Sequence, residues 1–139
     1  MAIAALDLGS RRIGIAVTDA EGTAAHPLRT IERRSFEADL QAIRAALGPR
    51  QIECLVVGLP INMDGSEGPA ARHARNFAAR LSRALGIEVE LQDERLSSFE
   101  AETRLKNAPS HRKKKPAIDA VAAAVILEEY LKSKQSNRA

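Results

Sequence analysis

The 139-residue chain has the length of one domain, which excludes a two-domain enzyme with a cleft between its lobes. Only 3% of its residues are aromatic, which argues against a binding face of stacked rings for single-stranded bases, and its net charge of +3 admits a polyanionic partner. No apolar run approaches the roughly 20 residues of a membrane span, and the N-terminus lacks a signal-peptide pattern, so we expect a soluble cytoplasmic protein.

The beginning of the chain has the pattern of short strands. Apolar runs at 1–8, 13–18 and 26–31 are separated by polar turns, which favours a three-stranded antiparallel meander. The periodicity then changes, because apolar residues follow Ser35 at spacings of three and four. This spacing predicts a helix that is capped by Ser35 and ended by a Gly-Pro pair.

The remaining chain alternates strands and helices. We predict a buried strand at 52–57, a helix at 69–85 and a strand at 87–91. A short helix at 99–105 and an Ala-rich helix that opens at Pro116 complete the series.

The order of these elements, β-β-β-α-β-α-β-α-α, places an antiparallel meander before β-α-β units. This order predicts an α/β fold in which a five-stranded mixed sheet is flanked by helices. We expect a single domain at 1–132 and a flexible C-terminal tail at 133–139. The lone cysteine, Cys54, lies in an apolar run and is expected to act as a small buried side chain.

Three carboxylates stand at positions where chemistry could occur. Asp7 lies near the end of the first strand, Glu94 follows the fifth strand beside Asp93, and Asp119 lies in the first turn of the last helix. If the fold brings them to one edge of the sheet, their repulsion favours a hard cation such as Mg²⁺ or Mn²⁺. Such ions commonly serve phosphodiester hydrolysis. Taken singly, each acid also fits an ordinary turn, helix-cap or ion-pair role.

Four sequence blocks resemble the YqgF (RuvX) family, in the family's order and across nearly the whole chain. The blocks are Asp7–Asp19, Val57–Pro60 with Gly65 and Gly68 downstream, Asp93–Ser98, and Asp119–Leu127. The resemblance implies an RNase H-like fold and a Holliday junction resolvase-like nuclease that matures the 5′ end of pre-16S ribosomal RNA. It also implies that Asp7, Glu94 and Asp119 are the catalytic residues and hold the metal.

One feature departs from the wider superfamily that this resemblance implies. RNase H-like nucleases commonly carry a metal-binding acid at the end of the fourth strand, whereas here that strand ends in Val57-Gly58-Leu59-Pro60. The second carboxylate would therefore come from the end of the fifth strand, with Asp93 able to replace or assist Glu94. Gly9 and Gly58 would let the backbone approach a phosphate or an ion closely.

Basic residues in three places could contact a nucleic-acid backbone. The segment 111–115 precedes Asp119, one face of the helix at 69–85 carries Arg72, Arg75 and Arg83, and Arg12 stands near Asp7. Contacts of this kind are salt-sensitive and largely blind to sequence. The predicted nucleic-acid-binding residues are Arg12, Arg72, Arg75, Arg112, Lys113, Lys114 and Lys115.

Three functions remain open at this point. The favoured one is a metal-dependent phosphodiesterase that acts on structured RNA, with branched DNA as the second substrate class. The Asp-x-Gly-Ser sequence at 7–10 also resembles the phosphate loop of actin- and hexokinase-like proteins, but those proteins need two such domains. A non-catalytic nucleic-acid-binding module would use the acids only as caps, and its binding would not depend on a divalent metal.

Overall fold

The computed structural model describes residues 2–94 and 115–137, and the side chains of 2–94 and 119–134. The strands and helices in these ranges are β1 (Ala2–Leu8), β2 (Arg12–Thr18), β3 (Ala25–Glu32), α1 (Phe36–Leu47), β4 (Ile52–Leu59), α2 (Pro69–Leu85), β5 (Glu88–Asp93) and α3 (Lys115–Asn137). The short helix predicted at 99–105 lies outside the described residues.

The five strands form one mixed sheet in the order β3-β2-β1-β4-β5. β1, β2 and β3 are antiparallel neighbours, whereas β4 pairs parallel with β1 and β5 pairs parallel with β4. The predicted meander followed by β-α-β units is therefore confirmed. The carboxyl ends of β1, β4 and β5 meet at one edge of the sheet, which we call the carboxyl edge.

The two faces of the sheet are covered by different helices. Strand residues alternate between the faces, so Leu6 of β1 packs with α1 and α2, whereas its neighbour Ala5 packs with α3. The side of α3 that meets the sheet is rich in alanine, with Ala123 and Ala124 buried. Small side chains let this helix lie close to the strands.

The predicted helix ends are largely confirmed. The Ser35 side chain accepts a hydrogen bond from the Ala38 N–H at 3.1 Å and so caps α1. Pro69 occupies the first turn of α2, and Gly86 ends that helix in the left-handed conformation with φ 68°.

The C-terminal ends of β4, β5 and α3 lie two or more residues beyond the sequence-based expectation. β4 extends beyond Val57 because Gly58 and Leu59 remain paired with the last residues of β5. For the same reason, β5 includes Asp93 as its final residue.

The helix α3 continues to Asn137, so most of the tail that was predicted from Ser133 is helical. The sequence after Pro116 contains neither Gly nor Pro to stop the helix. In addition, the Lys134 ammonium lies 3.8 Å from the Glu90 carboxylate of β5, which ties the last turns to the sheet. Among the helices in the described part of the chain, none combines the length and apolarity that crossing a bilayer requires.

Candidate active site

The carboxyl groups of Asp7 and Glu94 are hydrogen-bonded to each other at the carboxyl edge of the sheet. Burial is the largest cause that raises the pKa of Glu94 to about 9. The charge of Asp7, the hydrogen bond to Asp7 and the charge of Asp93 raise it further, in that order. Glu94 is therefore the protonated partner, and its O–H donates to the Asp7 carboxylate.

Asp119 brings a third carboxylate to this pair from the first turns of α3. Burial raises the pKa of Asp7, the hydrogen bond from Glu94 lowers it, and the negative charge of Asp119 raises it again. The Arg12 Nε–H donates to Asp119 Oδ2 at 2.8 Å, so an arginine at the start of β2 partly neutralises the third acid. The structure thus brings Asp7, Glu94 and Asp119 together, as expected.

A glycine in β2 creates the space for Asp119. Gly14 pairs with Asp7 across the β1–β2 ladder. A Cβ atom at Gly14 would overlap the backbone carbonyl of Asp119, so the start of α3 rests directly on the bare backbone of β2. Gly14 was not among the residues predicted for the site, although an isolated glycine inside an apolar strand is a signal for such a close approach.

A second glycine, Gly58 in β4, creates the space for Glu94. A Cβ atom at Gly58 would lie 2.6 Å from Glu94 Oε2 and 2.7 Å from Ile126 Cδ1. In this structure the space above Gly58 is filled by these two side chains, and the close approach of a phosphate or an ion stays a prediction. Likewise, a Cβ atom at Gly9 would lie 2.8 Å from the Arg12 carbonyl oxygen, which the Gly9 N–H also contacts in the tight turn between β1 and β2.

Glu94 and its neighbour Asp93 have different surroundings. Asp93 pairs with Leu59 as the last residue of β5, and strand alternation places it on the face of Leu91, which packs with the α1–α2 core. The Glu94 N–H instead donates to the Leu59 carbonyl at 3.2 Å, just beyond the strand, and its carboxyl group meets Asp7. Glu94 therefore supplies the second carboxylate of the cluster.

The predicted nucleic-acid-binding residues have different environments. Arg72 is exposed in the first turns of α2, whereas Arg75 donates two hydrogen bonds to Glu67, at 2.8 and 2.6 Å, so its charge is already neutralised. Arg112, Lys113 and Lys114 lie outside the described residues, and Lys115 is described only as the first residue of α3.

Arg33, which lies just after β3, was not predicted from the sequence as part of the site. Its Nη1 donates to the Gly9 carbonyl at 2.7 Å, two residues beyond Asp7, and its Nη2 lies 2.7 Å from His73 Nε2 of α2. Arg33 therefore connects the turn beside the acids to the helix on the other face of the sheet. No periodicity marks this role, because it depends on how β3 and α2 pack.

The chemistry of the three acids suits a hard divalent cation, because they offer only carboxylate oxygens, which Mg²⁺ and Mn²⁺ prefer. Burial is the largest cause that raises the pKa of Asp7 and of Glu94, and the charge of a neighbouring carboxylate raises each of them further. A bound cation would stabilise the ionised form of Glu94 in this buried setting and so displace its proton.

Among the described residues, the one trio of metal-ligating side chains whose ligand atoms all lie within 4.8 Å of one another is Cys54, Glu88 and Glu90, at the opposite ends of β4 and β5. However, Glu90 already accepts a hydrogen bond from the Tyr130 hydroxyl at 2.8 Å and pairs with Lys134. Cys54 is 6% exposed, as its apolar setting predicted, and burial is the main cause that raises the pKa of its thiol to about 11.

The chain matches a family model described as RuvX, Holliday junction resolvase, over residues 1–133. It belongs to this family. A relative from Anaeromyxobacter sp. (strain Fw109-5), named "Putative pre-16S rRNA nuclease", is 53% identical over 127 residues, which cover 91% of this chain and 93% of that protein. A relative of the same name from Synechococcus elongatus is 47% identical over 134 residues, which cover 96% and 90% of the two chains.

Solved structures show the fold of this RuvX family member. Thermus thermophilus RuvC matches with a TM-score of 0.58 at 16% identity and covers 96% of this chain and 97% of its own. Fowlpox virus resolvase, in complex with Holliday junction DNA, matches with a TM-score of 0.57 at 10% identity and covers 96% and 98%. The predicted RNase H-like fold is thereby confirmed.

Proposed function

We propose that this RuvX protein is a divalent-metal-dependent endonuclease that hydrolyses phosphodiester bonds in the 5′-end maturation of pre-16S ribosomal RNA. The observation that carries the proposal is the convergence of Asp7, Glu94 and Asp119 at the carboxyl edge of an RNase H-like sheet. Asp7 comes from the end of β1, Glu94 is the first residue after β5, and Asp119 lies in the first turns of α3. Gly14 and Gly58 keep the adjoining backbone bare beneath two of them.

Asp7, Glu94 and Asp119 would hold Mg²⁺ or Mn²⁺, which when bound supplies Lewis acidity at the phosphate and an activated water. Glu94 holds a proton at neutral pH, since burial raises its pKa to about 9, and its O–H donates a hydrogen bond to the Asp7 carboxylate. The pair therefore carries one negative charge before a cation binds, and release of that proton provides the second. This exchange makes cation affinity rise with pH.

Arg12 is placed to bind the substrate and to orient an acid at the same time. Its Nε–H donates to Asp119, while a guanidinium carries further N–H donors that can reach a phosphate oxygen. The side chain of Arg12 is about one-third exposed, so these donors face the surface where a nucleic acid would lie.

The substrate class follows from the relatives rather than from the acids. The curated relatives are named for pre-16S ribosomal RNA, and the predicted contacts with nucleic acid are basic and therefore suited to any phosphate backbone. An enzyme with this substrate would act in the cytoplasm. A Holliday-junction resolvase is the second candidate, because the family model carries that description.

The test is a cleavage assay on two labelled substrates. A transcript that contains the 5′ leader of pre-16S RNA and a four-way DNA junction are each incubated with Mn²⁺ and, separately, with EDTA. We expect Mn²⁺-dependent cleavage of the RNA and little of the junction. Faster cleavage of the junction would establish the resolvase instead, and binding of both substrates without cleavage would leave a non-catalytic module.

A further inference from the structure

A second basic surface lies on the α1–α2 side of the sheet, away from the three acids. It is built on two phenylalanine rings, Phe36 and Phe77, whose centroids are 5.6 Å apart in an edge-to-face arrangement. The Arg80 guanidinium carbon lies 3.9 Å from the centroid of the Phe36 ring, and that of Arg33 lies 5.4 Å from the Phe77 ring. Stacking fixes the plane of a guanidinium and leaves its in-plane N–H groups available to an acceptor.

This surface includes an open cavity of about 550 Å³ that lies along α2. The polar residues that line the cavity are His73, Asn76, Arg80 and Arg83. We call the four basic residues Arg33, His73, Arg80 and Arg83 the arginine cradle.

Within the described part of the chain, no carboxylate pairs with the arginines of the cradle. Within the residues that the structure describes, neither Arg80 nor Arg83 forms an ion pair, whereas Arg75 on the same helix is held by Glu67. A concave, positively charged surface whose donors are already oriented is suited to phosphate groups.

The cradle is also connected to the active site. Arg33 donates to the Gly9 carbonyl, two residues beyond Asp7, and contacts His73 in the cradle. From His73 to Arg83 the helix advances roughly 15 Å, which is long enough for several backbone phosphates. His73, Asn76, Arg80 and Arg83 follow one another at helical spacings of three and four, so their polar groups form one line along α2.

We propose that the arginine cradle binds backbone phosphates of the nucleic-acid strand that is cleaved at the three acids, at a distance from the cleaved bond. The proposal rests on the proposed nuclease function. It assigns binding to Arg33, Arg80 and Arg83, and it predicts that the cradle affects affinity for long substrates rather than the chemical step.

The experiment measures binding and cleavage separately. Binding of a labelled single-stranded RNA from the pre-16S 5′ leader is followed in EDTA over a range of salt concentrations, for the wild type, Arg83→Glu, and the double variant Arg80→Gln/Arg83→Gln. Arg50→Glu is the matched control, since Arg50 is an exposed arginine in the turn before β4, at the opposite edge of the sheet. Removing the Arg80 guanidinium from the Phe36 ring could destabilise the double variant. Arg83→Glu leaves that contact intact and therefore tests the cradle independently of it.

We expect the double variant to bind about tenfold more weakly and its salt slope to fall by about 1.4, since each phosphate of a single strand that is no longer neutralised removes about 0.7. Arg83→Glu should also weaken binding, Arg50→Glu should not, and kcat at saturating RNA should be unchanged in all three. If Arg83→Glu and the double variant bind RNA with the affinity and the salt slope of the wild type, the proposal that the cradle binds phosphates is wrong. It is also wrong if Arg50→Glu weakens RNA binding to the same extent. If these variants bind weakly but the wild type does not cleave, the cradle stands and the nuclease proposal fails.

Discussion

Gly14 and the Asp119 backbone lie in such close contact that no other residue fits at position 14 without moving α3. Because Gly14 also pairs with Asp7, this contact sets the separation between the acid of the central strand and the acid of the last helix. A Cβ atom at Gly58 would instead meet the carboxyl group of Glu94 at the end of its side chain. The geometry of the three carboxylates therefore depends on two bare positions that carry no chemistry themselves.

Alanine at either position should reduce activity. In Gly14→Ala the new Cβ displaces Asp119, and in Gly58→Ala it displaces Glu94, so we expect cleavage to fall by more than tenfold. The matched control is Gly68→Ala, because a Cβ there would meet only Asn62 Nδ2, at 3.9 Å. Mn²⁺-dependent cleavage and circular dichroism are measured for each variant, and full activity in Gly14→Ala would contradict this account of the site.

The raised pKa of Glu94 predicts how stability varies with pH in the absence of metal. Between its ordinary value of 4.5 and about 9, the folded state binds more protons at Glu94 than the unfolded state does. The contribution of this group is therefore fully present below pH 4.5 and is lost as the pH rises toward 9, so the free energy of unfolding falls.

Glu94→Gln should remove this pH dependence, because the amide also donates to Asp7 but does not ionise. Thermal unfolding in EDTA is measured for both proteins across this range. We expect similar stability at low pH and a more stable variant at high pH. A difference between the two proteins that stays constant with pH would rule out the proton on Glu94.

Arg12→Gln should impair both substrate affinity and turnover, because Arg12 contacts Asp119 and is exposed toward the substrate. We expect KM to rise and kcat to fall, by several-fold each. Arg12→Lys should restore the charge but only part of the turnover, since a lysine lacks the guanidinium fork. Arg11→Gln is the control, as Arg11 is the exposed neighbour, and an equal effect in Arg11→Gln would assign the impairment to net charge alone.

Replacing Arg112, Lys113, Lys114 and Lys115 with alanine should weaken binding of every RNA sequence to a similar extent. The reason is that interactions with phosphates carry no sequence information. With a structured, double-stranded RNA, the slope of affinity against salt should become shallower by about one unit for each phosphate that the variant no longer binds. Titration of labelled RNA at several salt concentrations measures this slope. An unchanged slope would mean that these four residues do not contact RNA phosphates.

Much of the site could be predicted from the sequence because its acids stand at recognisable places. Asp7 is the one charged residue in an apolar strand, and Asp119 follows a proline in the first turns of the last helix. Their proximity could not be predicted from these positions alone. It depends on the strand order, in which the first strand lies at the centre, and on Gly14, which lets α3 approach β2.

Two details of the site could not be predicted, because they depend on a strand end and on a loop, which leave no periodic pattern in the sequence. The choice between Asp93 and Glu94 turned on where β5 ends, and a shift of one residue changes the face on which a side chain lies. The neutralisation of Arg75 depended on Glu67, which belongs to the irregular loop before α2. A basic face on a helix therefore does not reveal which of its charges are free to bind phosphate.

Mn²⁺-dependent cleavage of the pre-16S leader by Asp7→Asn tests the central claim most directly. Asparagine keeps the shape of the side chain and removes the charge that a cation needs, while the basic residues that bind phosphate remain. Glu21→Gln is the control, because it removes an exposed carboxylate in the turn between β2 and β3, at the opposite edge of the sheet. We expect cleavage by Asp7→Asn to fall by orders of magnitude, with RNA affinity and circular dichroism preserved and Glu21→Gln fully active. Wild-type cleavage by a folded Asp7→Asn protein would contradict the account and favour a non-catalytic nucleic-acid-binding module.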